Sequence, residues 1–481
     1  MKKRILYLSS FILMVLGVGI FIDQAFFKPT EINSFIASKI YSSPANNAFT
    51  DENFYKCVVD AYNKKNNTSL PYTTNLSGEQ LKTITELSCY AFNKPDNEKI
   101  KSIDGLEKLT ALTYLDVSYN QLTSLDVSKN TALTYLRVYS NQLTKLDVSK
   151  NTALTYLSVS YNQLTSLDVS KNTALTKLYA DRNPLTDLDV SKNTALTYLS
   201  VYSYQLTKLD VSKNTALIDL DVYGNKLTNL DVSKNTALIS LRVDSNQLTN
   251  LDVSNNTALE YLNVNNNQLT NLDVSNNTAL IYLYADSNQL TKLDVSKNTA
   301  LTYLRASVNK LTKLDVSKNT ALTNLYASGN QLTDLDVSKN TALIELSAGS
   351  NQLTNLDVSN NTALTELDVG YNQLTDLDVS KNTKLEVLYV YYNKLTSLDV
   401  SKNTALTKLY ASDNQLTNLD VSKNMVLAKL EVYKNSLITN LVTYKNKSIN
   451  IENDNRLVKL PEGKTSTLIK LSNDNEDVAI D

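Results

Sequence analysis

The chain contains no histidine and no tryptophan, and only two cysteines in 481 residues. Without histidine there is no serine–histidine or cysteine–histidine nucleophile pair, no histidine general base and no histidine-ligated zinc. Two cysteines, Cys57 and Cys89, cannot form a metal site alone. They leave either one disulfide, which fits an oxidising compartment, or two buried thiols. Glycine is scarce at 9 residues, so the tight backbone geometry of a turn-rich chain must come from another residue type. Neither sign of charge dominates, with 47 Lys and Arg against 49 Asp and Glu. That balance gives no general attraction to nucleic acid or anionic lipid.

The first apolar run is a targeting segment. Lys2, Lys3 and Arg4 precede residues Ile5 to Ile22, interrupted by Ser9 and Ser10. Residues 1–22 therefore read as a signal peptide or an uncleaved N-terminal membrane anchor, the only expected membrane contact. Either reading places the rest of the chain outside the cytoplasm. Residues 23–48 read as a linker. Residues 49–83 show a helical period, with Phe54, Cys57, Val58 and Ala61 on one apolar face. Thr50 or Asp51 suits the N-cap of that helix, and Ser77 with Gln80 matches a capping box for a second short one. A small helical cap of this kind covers the exposed first layer of a repeat stack.

From residue 84 to 437 the chain repeats, irregularly at first and then in units of 21. With Leu133 as position 1, leucine recurs at positions 1, 4 and 11, and position 6 is valine or alanine. Position 9 is asparagine from Asn120 to Asn435, broken only by Tyr204. Positions 4 and 6 are apolar while 3, 5 and 7 vary, which is strand alternation. Each unit is one coil of a solenoid, and its variable strand lies beside that of the next coil. The position-9 asparagine is expected to replace glycine at the bend, because it tolerates left-handed geometry and its amide bonds backbone or a neighbouring amide. In the irregular first repeat, Ile84, Leu87 and Cys89 take inward positions, so a Cys57–Cys89 bond would join cap to stack. Residues 438–481 leave the period and read as a C-terminal cap or module fragment, with neither a sorting motif nor an apolar tail.

The pattern LxxLxLxxNxL with the run LDVSKNTALTYL resembles the internalin J type of bacterial leucine-rich repeat surface protein. The resemblance covers about Ile84 to Leu437. It implies a leucine-rich repeat solenoid: a right-handed coil with a curved parallel β-sheet and a small helical N-terminal cap. Relatives of this kind are surface adhesins and host-contact proteins, some of them mucin-binding. They often carry cysteine at position 6, where this chain has Val138, Val159 or Ala180, and usually end in further modules and a wall-sorting signal.

Three columns of residues bear on function. Aspartate fills position 15 from Asp126 to Asp420, at roughly 4.8 Å per coil. Equivalent copies lack the asymmetry that separates an acid from a base, so this column reads as structural, with Lys129 and Lys150 among its compensating charges. Tyrosine is the second: positions 3, 5, 7 and 8 hold 21 of the 29 tyrosines. Arginine is the third. Of six arginines, Arg137, Arg182, Arg242 and Arg305 fall at position 5 or 8. Tyrosine and arginine together suit recognition surfaces. Tyr284, Arg305 and Tyr326 occupy position 5 of consecutive coils, where the guanidinium would lie between two rings, and Tyr261, Tyr282 and Tyr303 form the adjoining column. These six residues are the expected contact centre for a protein or glycoprotein of a host or neighbouring cell. No enzymatic constellation, metal or cofactor is expected. The rival reading is a passive spacer, in which the tyrosines only hold the sheet.

Overall fold

The computed structural model describes residues 48–435 and, beyond them, the strands Asn440–Tyr444, Asn450–Asn453, Arg456–Lys459, Ser466–Lys470 and Ala479–Ile480. The apolar run of residues 1–22 lies outside the described residues. Among the described residues no helix is long and apolar enough to cross a membrane.

The described residues open with helix α1 (Glu52–Asn66) and the short α2 (Gly78–Lys82). Asp51 caps α1 by accepting the Asn53 and Phe54 N–H groups on one oxygen. Its other oxygen accepts the Lys101 and Ser102 N–H groups, so the cap residue also ties the helix to the stack. Ser77 and Gln80 close the capping box of α2. The buried face of α1 is Phe54, Tyr55, Val58 and Val59, with Cys57 and Ala61 half-buried at its border. Cys57 is bonded to Cys89, which lies inside the first coil with a Cα–Cα distance of 5.7 Å.

Seventeen parallel strands follow, from Glu86–Ser88 to Lys429–Glu431, in a right-handed solenoid of about 15 turns. Each is only three residues long, and from Tyr114–Asp116 onward they pair in exact 21-residue register, as in Tyr282 with Tyr303 and Leu283 with Leu304. Leucines at positions 1, 4 and 11 and valine at 16 are fully buried along the array, and leucine 14 nearly so. The parallel order continues with Asn450–Asn453, to which Arg456–Lys459 adds an antiparallel strand.

Two asparagine columns join the coils, and their geometry meets the expectation in part. The position-9 amides bond backbone rather than one another. Asn309 Nδ2 donates to the Ala306 carbonyl of its own coil at 3.2 Å and the Ala285 carbonyl of the preceding coil at 2.9 Å. Its Oδ1 accepts the Leu290 N–H at 3.0 Å. Nor is position 9 the left-handed residue. Position 8 takes that conformation, as at Ser140, Ser287 and Gly329, and the asparagine secures the bend from beside it. The second column, at position 19, donates twice to backbone, as Asn319 does to Val295 and Asn298 at 2.9 and 2.8 Å. Its Oδ1 is buried without a hydrogen-bond partner.

Deleting the two amides should therefore have unequal effects. Asn309→Ala strands the Leu290 N–H, whereas the carbonyls served by Asn319 keep backbone donors from Asn298 and Leu301. Asn309→Ala is expected to destabilise the fold by about 1–3 kcal/mol more than Asn319→Ala, measured by urea unfolding of both variants.

Candidate binding face

Strand alternation sets the face. Position 4 turns inward, with Leu262, Leu283, Leu304 and Leu325 fully buried, so positions 3 and 5 of the same strands point outward. Tyr261, Tyr282, Tyr284, Tyr303, Arg305 and Tyr326 come together as one patch. Ring centroids lie 5.3 Å apart for Tyr261–Tyr284, 5.2 Å for Tyr284–Tyr303 and 5.4 Å for Tyr303–Tyr326. Tyr282 is looser, 6.2 Å from Tyr261 and 6.3 Å from Tyr303, and is the exposed member at 41%. Burial pushes the Tyr284 hydroxyl up to about 12. The Tyr326 hydroxyl donates to Glu345.

The position of Arg305 corrects the expectation of a guanidinium held between two rings. Its carbon centre lies 4.9 Å over Tyr326 alone, while Tyr284 packs between Tyr261 and Tyr303 instead. The reason is Asp286, whose carboxylate pairs with Arg305 Nε and also accepts the Ser307 N–H at 2.7 Å. A full opposite charge wins over a ring quadrupole at similar reach. The same acid–arginine pairing recurs on the face. Arg137 lies 3.7 Å from Asp116, and Arg242 lies 2.9 Å from Asp221 and 3.7 Å from Asp244. The sequence carries the signal, because Asp116 and Asp221 each precede their arginine by one 21-residue period. Arg182 is the exception. Among the described residues it has no carboxylate within ion-pair distance, and its guanidinium sits between Tyr161 and Tyr202 at 5.0 and 5.2 Å.

Two further tyrosine groups were not singled out from sequence. Tyr114, Tyr135, Tyr156, Tyr179 and Tyr198 form a continuous column with centroid spacings of 4.5, 4.1, 5.4 and 4.6 Å. Near the other end, Tyr371 stacks on Tyr392 at 4.3 Å and Tyr389 on Tyr410 at 4.6 Å. The signal is tyrosine at outward positions of successive coils, as at Tyr114, Tyr135 and Tyr156, at Tyr371 and Tyr392, and at Tyr389 and Tyr410.

The aspartate column has a structural use. Asp147 Oδ1 accepts the Ser149 N–H at 2.8 Å, and the pattern repeats at every coil to Asp420. Hydrogen bonds from that serine hold these carboxyls below the usual range from Asp126 to Asp399, with a smaller pull from the position-18 lysine at most coils. Among the described residues no group of three or more potential ligands is placed to hold a metal. The acids of the variable face shift the other way. Burial raises Asp181, Asp219, Asp244 and Asp368, and raises Asp221 to about 6 against the opposing pull of Arg242.

A leucine-rich repeat family model matches residues 108–129, 150–171 and 360–381. The functional domain of internalin J from Listeria monocytogenes, which includes a cysteine ladder, is 37% identical. It superposes with a TM-score of 0.71, over 84% of this chain and 85% of that one. The chain belongs to the internalin family. That family is built as a protein-interaction scaffold rather than an enzyme. A curated internalin J from Listeria monocytogenes serotype 4b is 39% identical over 85 residues, a match spanning 18% of this chain and 8% of that protein. A leucine-rich repeat protein of Leptospira interrogans shares the fold at 24% identity, with a TM-score of 0.62 over 70% of this chain and 92% of that one. Unlike the solved internalin J domain, this internalin has no cysteine ladder: its two cysteines are bonded to each other.

The opposed carboxyl shifts predict a stability maximum in mild acid. The face aspartates bind protons more tightly folded than unfolded, so their burial opposes folding most at neutral pH and less as pH falls, for Asp221 through about 6. The position-15 aspartates do the reverse: they favour folding above the ordinary carboxylate range, and that gain is lost as pH falls through their lowered values. The thermal unfolding midpoint should rise from pH 7 to about pH 5 and fall below about pH 4. Asp221→Asn should flatten the first limb and leave the second, read by calorimetry across pH.

Proposed function

We infer that this internalin is an extracellular adhesin that contacts a protein or glycoprotein of a host or neighbouring cell through its outward tyrosine and arginine side chains. One observation carries the reading. The inward letters of the repeat are copied almost without change, while the outward ones collect most of the chain's tyrosines and four of its six arginines. Tyrosine supplies large contact area with few rotors, and arginine supplies forked hydrogen bonding. The patch of Tyr261, Tyr282, Tyr284, Tyr303, Arg305 and Tyr326 is the proposed contact centre. The basic residues before the apolar run of residues 1–22, and a disulfide in the cap, support secretion or surface placement. Residues 438–481 are proposed to close the far end of the stack.

A passive spacer is the second reading, favoured by the ring contacts between coils, which stabilise the sheet whether or not anything binds. An array of proteins and glycans probed with the full chain separates the two. The adhesin reading expects a saturable ligand whose affinity falls at least about tenfold in Tyr284→Ala, Arg305→Ala or Tyr326→Ala. Failure to find any ligand supports the spacer. A ligand indifferent to all three changes places the contact elsewhere on the chain.

A further inference from the structure

A second aromatic surface runs along the bend of the N-terminal coils, apart from the Tyr261–Tyr326 patch. The bend residue at position 8 is left-handed, a conformation that suits glycine, asparagine and serine, and those residues hold it in many coils. Tyr119, Tyr161 and Arg182 nevertheless occupy it, with φ of 61°, 58° and 49°. A bulky residue there is disfavoured, because its Cβ crowds the backbone. Side chains held against local preference point to a use other than folding.

Those side chains join one continuous ridge. Tyr90 and Phe92 meet Tyr119 at 5.3 and 4.7 Å, Tyr119 meets Tyr139 at 5.0 Å, and Tyr139 meets Tyr161 at 4.9 Å. Arg182 bridges Tyr161 to Tyr202, which packs on Tyr204 at 4.2 Å and Tyr223 at 4.1 Å. Tyr90, Phe92, Tyr161 and Tyr204 are 42–55% exposed.

The lone break in the asparagine column serves the ridge. At Tyr204 the left-handed residue moves to position 9, with φ of 63°, and the ring turns outward. Ser203 adjusts the next step of the column by standing between Leu206 and Asn225, where elsewhere the amide accepts the leucine N–H directly. Its hydroxyl oxygen accepts the Leu206 N–H at 2.8 Å, and its own O–H donates to Asn225 Oδ1 at 2.8 Å. One coil later Gly224 leaves room for Tyr202, whose ring would lie 2.2 Å from any Cβ added there. Three neighbouring positions are thus adjusted to seat two rings.

We propose that this ridge docks an extended, proline-rich segment of another protein, carrying an acidic residue opposite Arg182. The proposal rests on the chain being a binding protein, but not on the Tyr261–Tyr326 patch. Three observations fix the ligand's chemistry. First, the ridge crosses six coil steps, roughly 29 Å at ~4.8 Å each. A polyproline II helix turns every ~9.3 Å, close to the ~9.6 Å of two coils, so its successive turns keep step with alternate coils of the ridge. Second, that helix leaves its carbonyls unbonded, and phenolic hydroxyls along the ridge can donate to them while ring faces cover the prolines. Third, Arg182 has only rings beside it, so a carboxylate from the ligand completes it.

The test titrates the full chain with a synthetic peptide of about ten residues, proline at every third position and one central glutamate. A glutamine version and a proline-free permutation are the peptide controls, and an acidic oligosaccharide is the competing probe. Tyr119→Asn and Tyr161→Asn remove rings while keeping a residue that accepts the left-handed bend. Saturable binding of the glutamate peptide is expected, weakened at least about tenfold by either change. Arg182→Gln should abolish the preference for glutamate over glutamine, and Tyr282→Ala should leave binding unaltered. Equal binding of the proline-free peptide, or no binding of any peptide, overturns the proposal. So does peptide binding lost in Tyr282→Ala but kept in Tyr161→Asn, a result that would instead favour the central patch. Capture of the oligosaccharide alone, sensitive to Tyr161→Asn, overturns the peptide and leaves the adhesin reading standing.

Discussion

Backbone pairing between successive coils is the interaction on which everything else depends. No coil contains a sheet of its own; each contributes three strand residues whose hydrogen-bonding groups are satisfied only by the coils above and below. Polar backbone at the bends would remain buried and unbonded if pairing stopped at the strand ends. The position-9 asparagine prevents this by acting as a piece of backbone, with donor and acceptor each reaching the preceding coil. Because every amide reaches across by the same offset, one inserted residue would break two columns at once. A strict period of 21 is the consequence.

This arrangement separates tasks cleanly. Core leucines at positions 1, 4 and 11 and valine at 16 meet copies of themselves in the neighbouring coils, so each is held to one size and shape, whereas position 6 admits valine or alanine. Outward positions meet only their lateral neighbours and solvent. Three acids of that face, Asp116, Asp221 and Asp286, pair with arginines one coil on. The face can vary along its length without disturbing the stack, as a recognition surface requires.

Much of this was legible in the sequence, for a physical reason. Period, inward positions, the aspartate or threonine cap and the Ser77–Gln80 box are local or repeating properties that a pattern of letters carries directly. Choices among competing neighbours were less accessible. The letters put Tyr284, Arg305 and Tyr326 in line but not the outcome of the contest for the guanidinium, which Asp286 wins from two positions along the neighbouring strand. The asparagine column was evident, yet its residues lie beside the left-handed bend rather than in it. Periodicity marks a position as special without saying which of two adjacent residues bears the strain.

The left-handed bend is where fold and recognition compete most directly. A stack serving only its own stability would keep serine, glycine or asparagine at position 8 throughout, as it does at Ser245, Asn266 and Ser287. It can admit Tyr119, Tyr161, Arg182, Tyr371 or Tyr392 because each bend is fixed from both sides by paired coils and by the adjacent amide. Strain of this kind persists only where the surroundings over-determine the conformation. The asparagine column therefore does more than hold the solenoid together: by making each bend rigid, it permits aromatic and cationic side chains at the solvent-facing turn, where an isolated loop would reject them.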